Sequence, residues 1–165
     1  MNGALALSAA DARGLLAEHV GFVRDHRARL AFPSSGYART LVHAADAYEI
    51  VAMLWAPGAR TPVHDHGTSR CSALLLEGSL YVERFVAENG VAKPVGTFRY
   101  EPGDLEQLDD ARSLHRVQNQ THAHCVSLHL YAQPLRTYRV YDLRSRRVET
   151  HISHYDASVF VAAGL

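Results

Sequence analysis

Near the N-terminus, apolar positions recur every three or four residues, which is the spacing of an amphipathic helix. The apolar stripe runs from Leu15 to Leu30, and charged residues occupy the opposite side. Ser8 lies just before this region, with Asp11 three positions later, which is the spacing of a capping box. The pattern therefore predicts a helix that begins after Ser8 and ends before the turn at residues 32–36.

Beyond residue 36 the chain consists of short apolar runs separated by glycine and proline, a pattern typical of all-β folds. The predicted strands are residues 37–42, 48–55, 72–76, 79–86, 95–100, 115–118, 125–131, 137–143 and 148–152. Asn89 followed by Gly90 is a strong turn signal. Because closure hides strand edges, this series predicts a mainly β fold, a small antiparallel β-barrel or double-sheet jelly roll with an N-terminal helical segment.

The length of 165 residues suits one domain with its own core. We expect an N-terminal helical segment over residues 1–35, the β-barrel over 36–152 and a tail over 153–165. Apolar residues make up 47% of the chain and charged residues 21%, which excludes a disordered chain. The 17 basic and 17 acidic residues balance, so the charge predicts neither a nucleic-acid partner nor an anionic membrane surface.

The sequence contains no secretion signal and no apolar stretch long enough for a membrane span, so we expect a cytoplasmic protein. Cys71 and Cys125 are the two cysteines. In that compartment both thiols are expected to stay reduced rather than form a disulfide.

His64 and His66 lie two positions apart in a predicted extended segment, so both imidazoles point to one side and Asp65 points to the other. His115, on a later strand, is the predicted third ligand of a metal site. Three neutral imidazoles suit first-row metals such as iron, nickel, copper or zinc, and ligand type does not choose among them. His122 and His124 have the same spacing but lie in a polar loop, where we expect them to be exposed.

The strand at residues 125–131 alternates regularly, with aliphatic side chains at its even positions. Its other face carries Ser127, His129 and Tyr131. These side chains are either core polar groups that hydrogen-bond one another or the lining of a cavity inside the barrel. The regular alternation favours the cavity.

Several motifs together resemble the two signatures of the cupin superfamily, namely Gly58, His64, Asp65, His66, Gly78, Gly96, Pro102, Gly103 and residues 115–119. The usual cupin motif has a glutamate ligand after its second histidine, and Cys71 stands in its place here. Together with residues 113–119 and 127–131, that replacement is similar to the cysteine dioxygenases, the thiol dioxygenase branch of the cupins. The resemblance covers residues 37–142.

The resemblance implies an Fe(II) enzyme, with His64, His66 and His115 as ligands, that oxidises L-cysteine with O2 to cysteine sulfinic acid. Three neutral ligands leave Fe(II) its full charge, and an anionic thiolate substrate can supply the missing negative charge. A dioxygenase for 3-mercaptopropionate or another small thiol, and a non-catalytic metal-binding cupin, are the alternatives. The family also suggests a monomer.

Residue roles follow from the same resemblance. Arg39, with Tyr37 beside it, matches the segment that recognises the substrate carboxylate; taken alone, Arg39 reads as an exposed strand arginine. Relatives that use 3-mercaptopropionate typically carry glutamine at this position. Tyr138 stands where the mammalian enzymes have a cysteine near the substrate.

Tyr131 matches the tyrosine that points at the bound substrate and oxygen. His129 is expected to orient it by a hydrogen bond, and Ser127 to hold His129. Cys71 matches the cysteine that the mammalian enzymes join to this tyrosine by a thioether bond. The alternative for Cys71 is a small buried hydrophobic residue.

Overall fold

The computed structural model describes residues 7–108 and 112–158. The outer parts of the predicted helical segment and tail, residues 1–6 and 159–165, lie outside the described residues. The helices are α1 (Ala9–Asp25) and a 3₁₀ helix (Arg27–Arg29). The strands are β1 (Tyr37–Ala44), β2 (Tyr48–Trp55), β3 (Val63–His64), β4 (Arg70–Glu77), β5 (Leu80–Glu88), β6 (Val91–Tyr100), β7 (Leu105–Leu108), β8 (Ser113–Gln118), β9 (Cys125–Ala132), β10 (Thr137–Tyr141), β11 (Val148–Ile152) and β12 (Ala157–Ser158).

Helix α1 begins with the predicted capping box. The Ser8 hydroxyl accepts from the Asp11 amide at 3.1 Å, and the Asp11 carboxylate accepts from the Ser8 amide at 3.1 Å. The Ser8 hydroxyl also donates to the Asp11 carboxylate at 2.6 Å. This bond and the one from the Ser8 amide lower the pKa of Asp11 because they stabilise its charged form. The α-helix ends at Asp25, and the 3₁₀ turn carries the chain on to Arg29. Over residues 7–108 and 112–158, no helix has the length and apolar character needed to cross a membrane.

The strands form two six-stranded sheets, which confirms the predicted mainly β fold. Their strand orders are β12-β1-β2-β9-β4-β7 and β11-β10-β3-β8-β5-β6. Strand pairs are antiparallel except for β1 with β12, which is parallel. Within the described strands no pairing joins the two sheets into a closed barrel, so the fold is the double-sheet form of the prediction.

The main core lies between the sheets, where Val51 and Met53 of the first sheet pack in one cluster with Val82 and Val117 of the second. A second cluster lies on the outer face of the first sheet, beneath helix α1. Strand β9 is buried at all eight positions because one of its faces meets the opposite sheet and the other meets α1. The alternation read from the sequence therefore places the polar side chains of β9 between the sheets.

Several strand boundaries differ from the prediction: β10, for example, ends at Tyr141 rather than at residue 143, and β7 was not predicted. Asn89 and Gly90 have positive φ values of 51° and 77°, so the hairpin turns there and β6 begins at once at Val91. The sheet also continues past residue 152, because Ala157 and Ser158 pair with β1. The first part of the predicted tail is therefore part of the fold.

Candidate metal centre

The short strand β3 holds the histidine pair against its neighbours. His64 is the direct partner of His115 on β8, and β10 pairs with its other edge. The carboxylate of Asp65 turns to β10, where it accepts from the Arg139 amide at 2.7 Å and from Arg139 Nε at 2.6 Å. Asp65 thus holds the segment that carries His64 and His66 against β10. It does not belong to the histidine cluster itself.

Gly67 makes the turn after the second histidine. Its φ of 58° lies in the left-handed region, and a Cβ at this position would lie 2.6 Å from the carbonyl oxygen of Thr137. Only glycine meets both conditions without strain. The chain can therefore leave His66 sharply and enter β4.

His64, His66 and His115 come together as the sequence predicted. Their potential ligand atoms all lie within 4.8 Å of one another. Among residues 7–108 and 112–158, this is the only group of three or more His, Cys, Asp or Glu side chains close enough to share an ion. The exposed residues His122 and His124 remain outside it, as predicted.

Hydrogen bonds orient two of these rings. His64 Nδ1 lies 3.0 Å from the carbonyl oxygen of Pro62, which can only accept, so Nδ1 carries the proton. His115 Nδ1 lies 3.3 Å from each carboxylate oxygen of Glu106. Both contacts leave Nε2 as the atom available to a metal.

The surroundings keep His64 and His66 neutral. Burial, reinforced by neighbouring His115, lowers the pKa of His64 to about 3 and the pKa of His66 well below its usual value. A metal needs the unprotonated nitrogen lone pair. The donor set therefore fits a first-row metal ion such as Fe(II).

A cavity of about 230 Å³ opens beside the histidines. His64 and His66 line it, whereas His115 lies deeper and is 1% exposed. The predicted substrate-binding residues Tyr37 and Arg39 and the predicted catalytic residue Tyr131 also line the cavity, together with Tyr138. His154 and Asp156, from the predicted tail, line its mouth.

Arg39 is 8% exposed, so the alternative of an exposed strand arginine is wrong. Its Nη1 donates to the Ser153 hydroxyl and, at 2.6 Å, to the carbonyl oxygen of His154. Its Nη2 is buried and has no hydrogen-bond partner among the described residues. An unpaired buried donor is costly, so this atom favours an anionic ligand in the cavity.

Tyr131 lies between the arginine and the histidines. Its ring centroid is 5.5 Å from that of His66 and 5.7 Å from the guanidinium carbon of Arg39. Burial raises the pKa of Tyr131 above its usual value. The hydroxyl therefore stays protonated at neutral pH and can donate a hydrogen bond.

The polar residues deeper on β9 form only part of the expected chain, because the predicted contact of Ser127 with His129 is present but the one of His129 with Tyr131 is not. Trp55 Nε1 donates to the Ser127 hydroxyl at 2.9 Å, and that hydroxyl lies 2.9 Å from His129 Nε2. His129 Nδ1 lies 3.9 Å from Cys71 Sγ. Both ring nitrogens thus face residues other than Tyr131, whose ring lies 6.1 Å from His129 at an interplanar angle of 29°. The expected hydrogen bond from His129 to Tyr131 is therefore replaced by packing of nearly parallel rings.

Three residues of the site could not be predicted from the sequence. Glu106 lies in a short strand whose sequence has no feature that distinguishes it from an exposed edge. Trp55 looks like an ordinary core residue at the end of an apolar strand. Ser153 belongs to the predicted tail, where no sequence motif singles it out.

Solved structures with similar folds support the architecture. A Thermus thermophilus protein superposes with a TM-score of 0.54 at 21% identity, covering 66% of this chain and 94% of its own. The cupin domain of a Schizosaccharomyces pombe protein gives a TM-score of 0.50 at 13% identity, covering 59% of this chain and 64% of its own. At these identities the likeness shows the fold alone. The fold and the histidine cluster together define a metal-binding cupin.

The profile of the cysteine dioxygenase type I family matches residues 17–144. The chain belongs to this family. Cysteine dioxygenase type 1 of Danio rerio is 31% identical over 121 residues, which cover 69% of this chain and 60% of that protein. The Homo sapiens protein of the same name is 30% identical over 120 residues, with the same coverage of 69% and 60%. The chain thus spans about 60% of the length of the curated relatives it matches.

Proposed function

We propose that this protein is an Fe(II)-dependent thiol dioxygenase that oxidises L-cysteine with O2 to cysteine sulfinic acid. The observation that carries the proposal is the unpaired Nη2 of Arg39, buried in the cavity that His64 and His66 also line. A ligand that engages both ends of this cavity needs an anionic group for the arginine and a metal-binding group for the imidazoles. Cysteine has a carboxylate and a thiol in one small molecule.

Arg39 binds the substrate carboxylate through its planar guanidinium. The contacts of Nη1 with Ser153 and His154 fix the plane of the guanidinium before substrate arrives. Tyr37, half-buried beside it, packs its ring 5.3 Å from the Trp55 ring and closes that side of the cavity. The substrate therefore enters in one orientation, with its sulfur toward the histidines.

Fe(II) held by the three imidazoles would supply a site where thiolate and O2 meet, and the electronic path that a spin-paired thiol and triplet O2 lack. Tyr131 presents its protonated hydroxyl between Arg39 and this site and donates a hydrogen bond to the reacting group. Its burial also keeps bulk water away from the sulfur.

The overall reaction balances without another reductant. The thiol and one O2 give one sulfinic acid, so both oxygen atoms end on sulfur and the four electrons that sulfur loses reduce O2. Such a reaction belongs to cysteine catabolism. We infer that the chain acts as a cytoplasmic monomer of one domain; the buried Cys71 and Cys125, which form no disulfide, suit a reducing compartment.

Comparing O2 consumption with three thiols tests the substrate assignment. L-cysteine is expected to be the best substrate, 3-mercaptopropionate slower, and cysteamine poorest because it lacks the carboxylate that Arg39 binds. A preference for 3-mercaptopropionate would assign the enzyme to that thiol, and a preference for cysteamine would contradict the role of Arg39. Metal binding without turnover of any thiol would indicate a non-catalytic metal-binding cupin.

A further inference from the structure

Glu106 lies on β7, at the edge of the first sheet, yet its carboxylate reaches across to the second sheet. It is 4% exposed, and both of its oxygens lie 3.3 Å from Nδ1 of the buried ligand His115 on β8. On its other side, Arg84 Nε of β5 lies 3.4 Å from Glu106 Oε1. A buried carboxylate therefore lies between a metal-ligand imidazole and a cation.

Arg84 is itself held in place. Its Nη2 donates to the Tyr100 hydroxyl at 2.8 Å, and its guanidinium carbon lies 5.1 Å from the centroid of the Phe98 ring. Its Nε contact with Glu106 is an ion pair without hydrogen-bond geometry, so that N–H has no hydrogen-bond partner in the described parts of the chain. The Arg84 guanidinium therefore lies on one side of the carboxylate, and the His115 imidazole lies on the other, in contact with both carboxylate oxygens.

An ionised carboxylate can only accept hydrogen bonds. The His115 nitrogen that faces Glu106 must then carry the proton, which leaves Nε2 unprotonated and directed to the metal. A carboxylate on the far nitrogen also makes an imidazole a stronger electron donor. Among the described residues, His115 is the only ligand ring with a carboxylate as hydrogen-bond partner. Nδ1 of His64 faces a neutral carbonyl instead.

We propose that Glu106 is a positioning residue for His115. It fixes the ring orientation and tautomer of this ligand and supplies negative charge to the metal centre through the imidazole. The three ligands include no carboxylate, since Cys71 stands where the cupin motif carries one. Glu106 supplies negative charge instead, on the far side of the His115 ring. This inference rests on the metal-binding part of the proposed function and is independent of the substrate.

Measuring metal binding to the purified, metal-free protein tests the role of Glu106. Co(II) and Zn(II) are titrated against a competing chelator, and the Co(II) absorption bands are recorded. Glu106→Gln removes the charge but keeps an acceptor oxygen, and Glu106→Ala removes both. Glu83→Gln is the matched control, because Glu83 forms an ion pair with Arg116 between β5 and β8 and, among the described residues, hydrogen-bonds to no ligand histidine.

We expect the Co(II) dissociation constant to rise about tenfold in Glu106→Gln and toward about one hundredfold in Glu106→Ala. The Co(II) bands are expected to shift in both variants, which a merely structural role would not produce. Glu83→Gln is expected to keep the wild-type affinity and spectrum. Wild-type affinity and spectrum in both Glu106 variants, or a wild-type protein that binds neither metal, would overturn the inference.

The wild-type protein gives an independent readout that does not depend on the variants folding. Two-bond ¹H–¹⁵N correlation spectra of the metal-free protein report the tautomer of His115. The proton is expected on Nδ1, and a proton on Nε2 would overturn the inference. If the protein turns over no thiol but Glu106→Gln still weakens Co(II) binding, the role of Glu106 stands and the proposed function fails. If the wild-type protein turns over cysteine but the Glu106 variants bind Co(II) as it does, the proposed function stands and the role of Glu106 fails.

Discussion

Cys71 and Tyr131 are direct cross-strand partners in the β4–β9 pair, and both side chains are buried in the core between the sheets. Directly opposed residues in an antiparallel pair have Cβ atoms about 4.5–5.5 Å apart. The thiol of Cys71 also faces His129 Nδ1 at 3.9 Å. The backbone register thus places a thiol beside the phenol that lines the cavity.

We predict that turnover joins these two residues by a thioether bond. The S–C bond forms with loss of the thiol hydrogen and one ring hydrogen, and O2 takes up the two electrons and two protons. Intact-mass spectrometry of protein incubated with iron, L-cysteine and O2 should show a species lighter by two hydrogens. Cys71→Ser, the matched control, should keep its original mass. A wild-type protein that turns over cysteine and remains a single unmodified species would contradict the prediction.

Arg39→Gln should weaken the binding of L-cysteine more than the binding of cysteamine. A hydrogen bond to a charged group contributes about 1.5–3 kcal/mol, so KM for L-cysteine is expected to rise at least about tenfold. Cysteamine has no carboxylate and provides the internal control, with KM nearly unchanged. Steady-state O2 consumption with both thiols measures the difference. Equal losses for the two substrates would mean that Arg39 acts on the structure of the site rather than on the carboxylate.

The metal ligands could be predicted because His64 and His66 obey strand geometry and His115 lies in a second motif. The inward face of β9 followed from its alternation. The partner of His115 could not be predicted, since only the folded register brings Glu106 of one sheet to the ligand of the other. The contact of His129 with Cys71 rather than with Tyr131 could not be predicted either. The partners of its ring depend on the side chains that pack beside each ring nitrogen, which are Ser127 and Cys71.

The stability of the metal-free protein should fall in acid partly through His129. Burial, followed by the nearby charges of His115 and Arg39, lowers the pKa of His129 from 6.5 to about 3. Between these values the unfolded chain binds a proton that the folded protein does not. The stabilisation is therefore complete above pH 6.5 and is lost as pH falls toward about 3, with a slope of about 1.4 kcal/mol per pH unit for this group.

Urea unfolding at several pH values within that window measures the slope. His129→Asn should reduce the slope by about the contribution of one proton, or about 1.4 kcal/mol per pH unit. His122→Asn, in the exposed loop, is the matched control and should leave it unchanged. The groups that face His129 are Ser127, Cys71 and Tyr131, with the charges of His115 and Arg39 nearby. An identical slope in His129→Asn and wild type would contradict the prediction.

Product analysis with iron-loaded protein tests the proposed dioxygenase activity most directly. Protein of verified Fe(II) occupancy is mixed with L-cysteine under ¹⁸O2, and the products are identified by mass spectrometry while O2 consumption is recorded. The proposed function predicts cysteine sulfinic acid with both oxygens labelled and one O2 consumed per product molecule. No sulfinic acid from fully Fe(II)-loaded protein, or a product whose oxygens come from water, would contradict it.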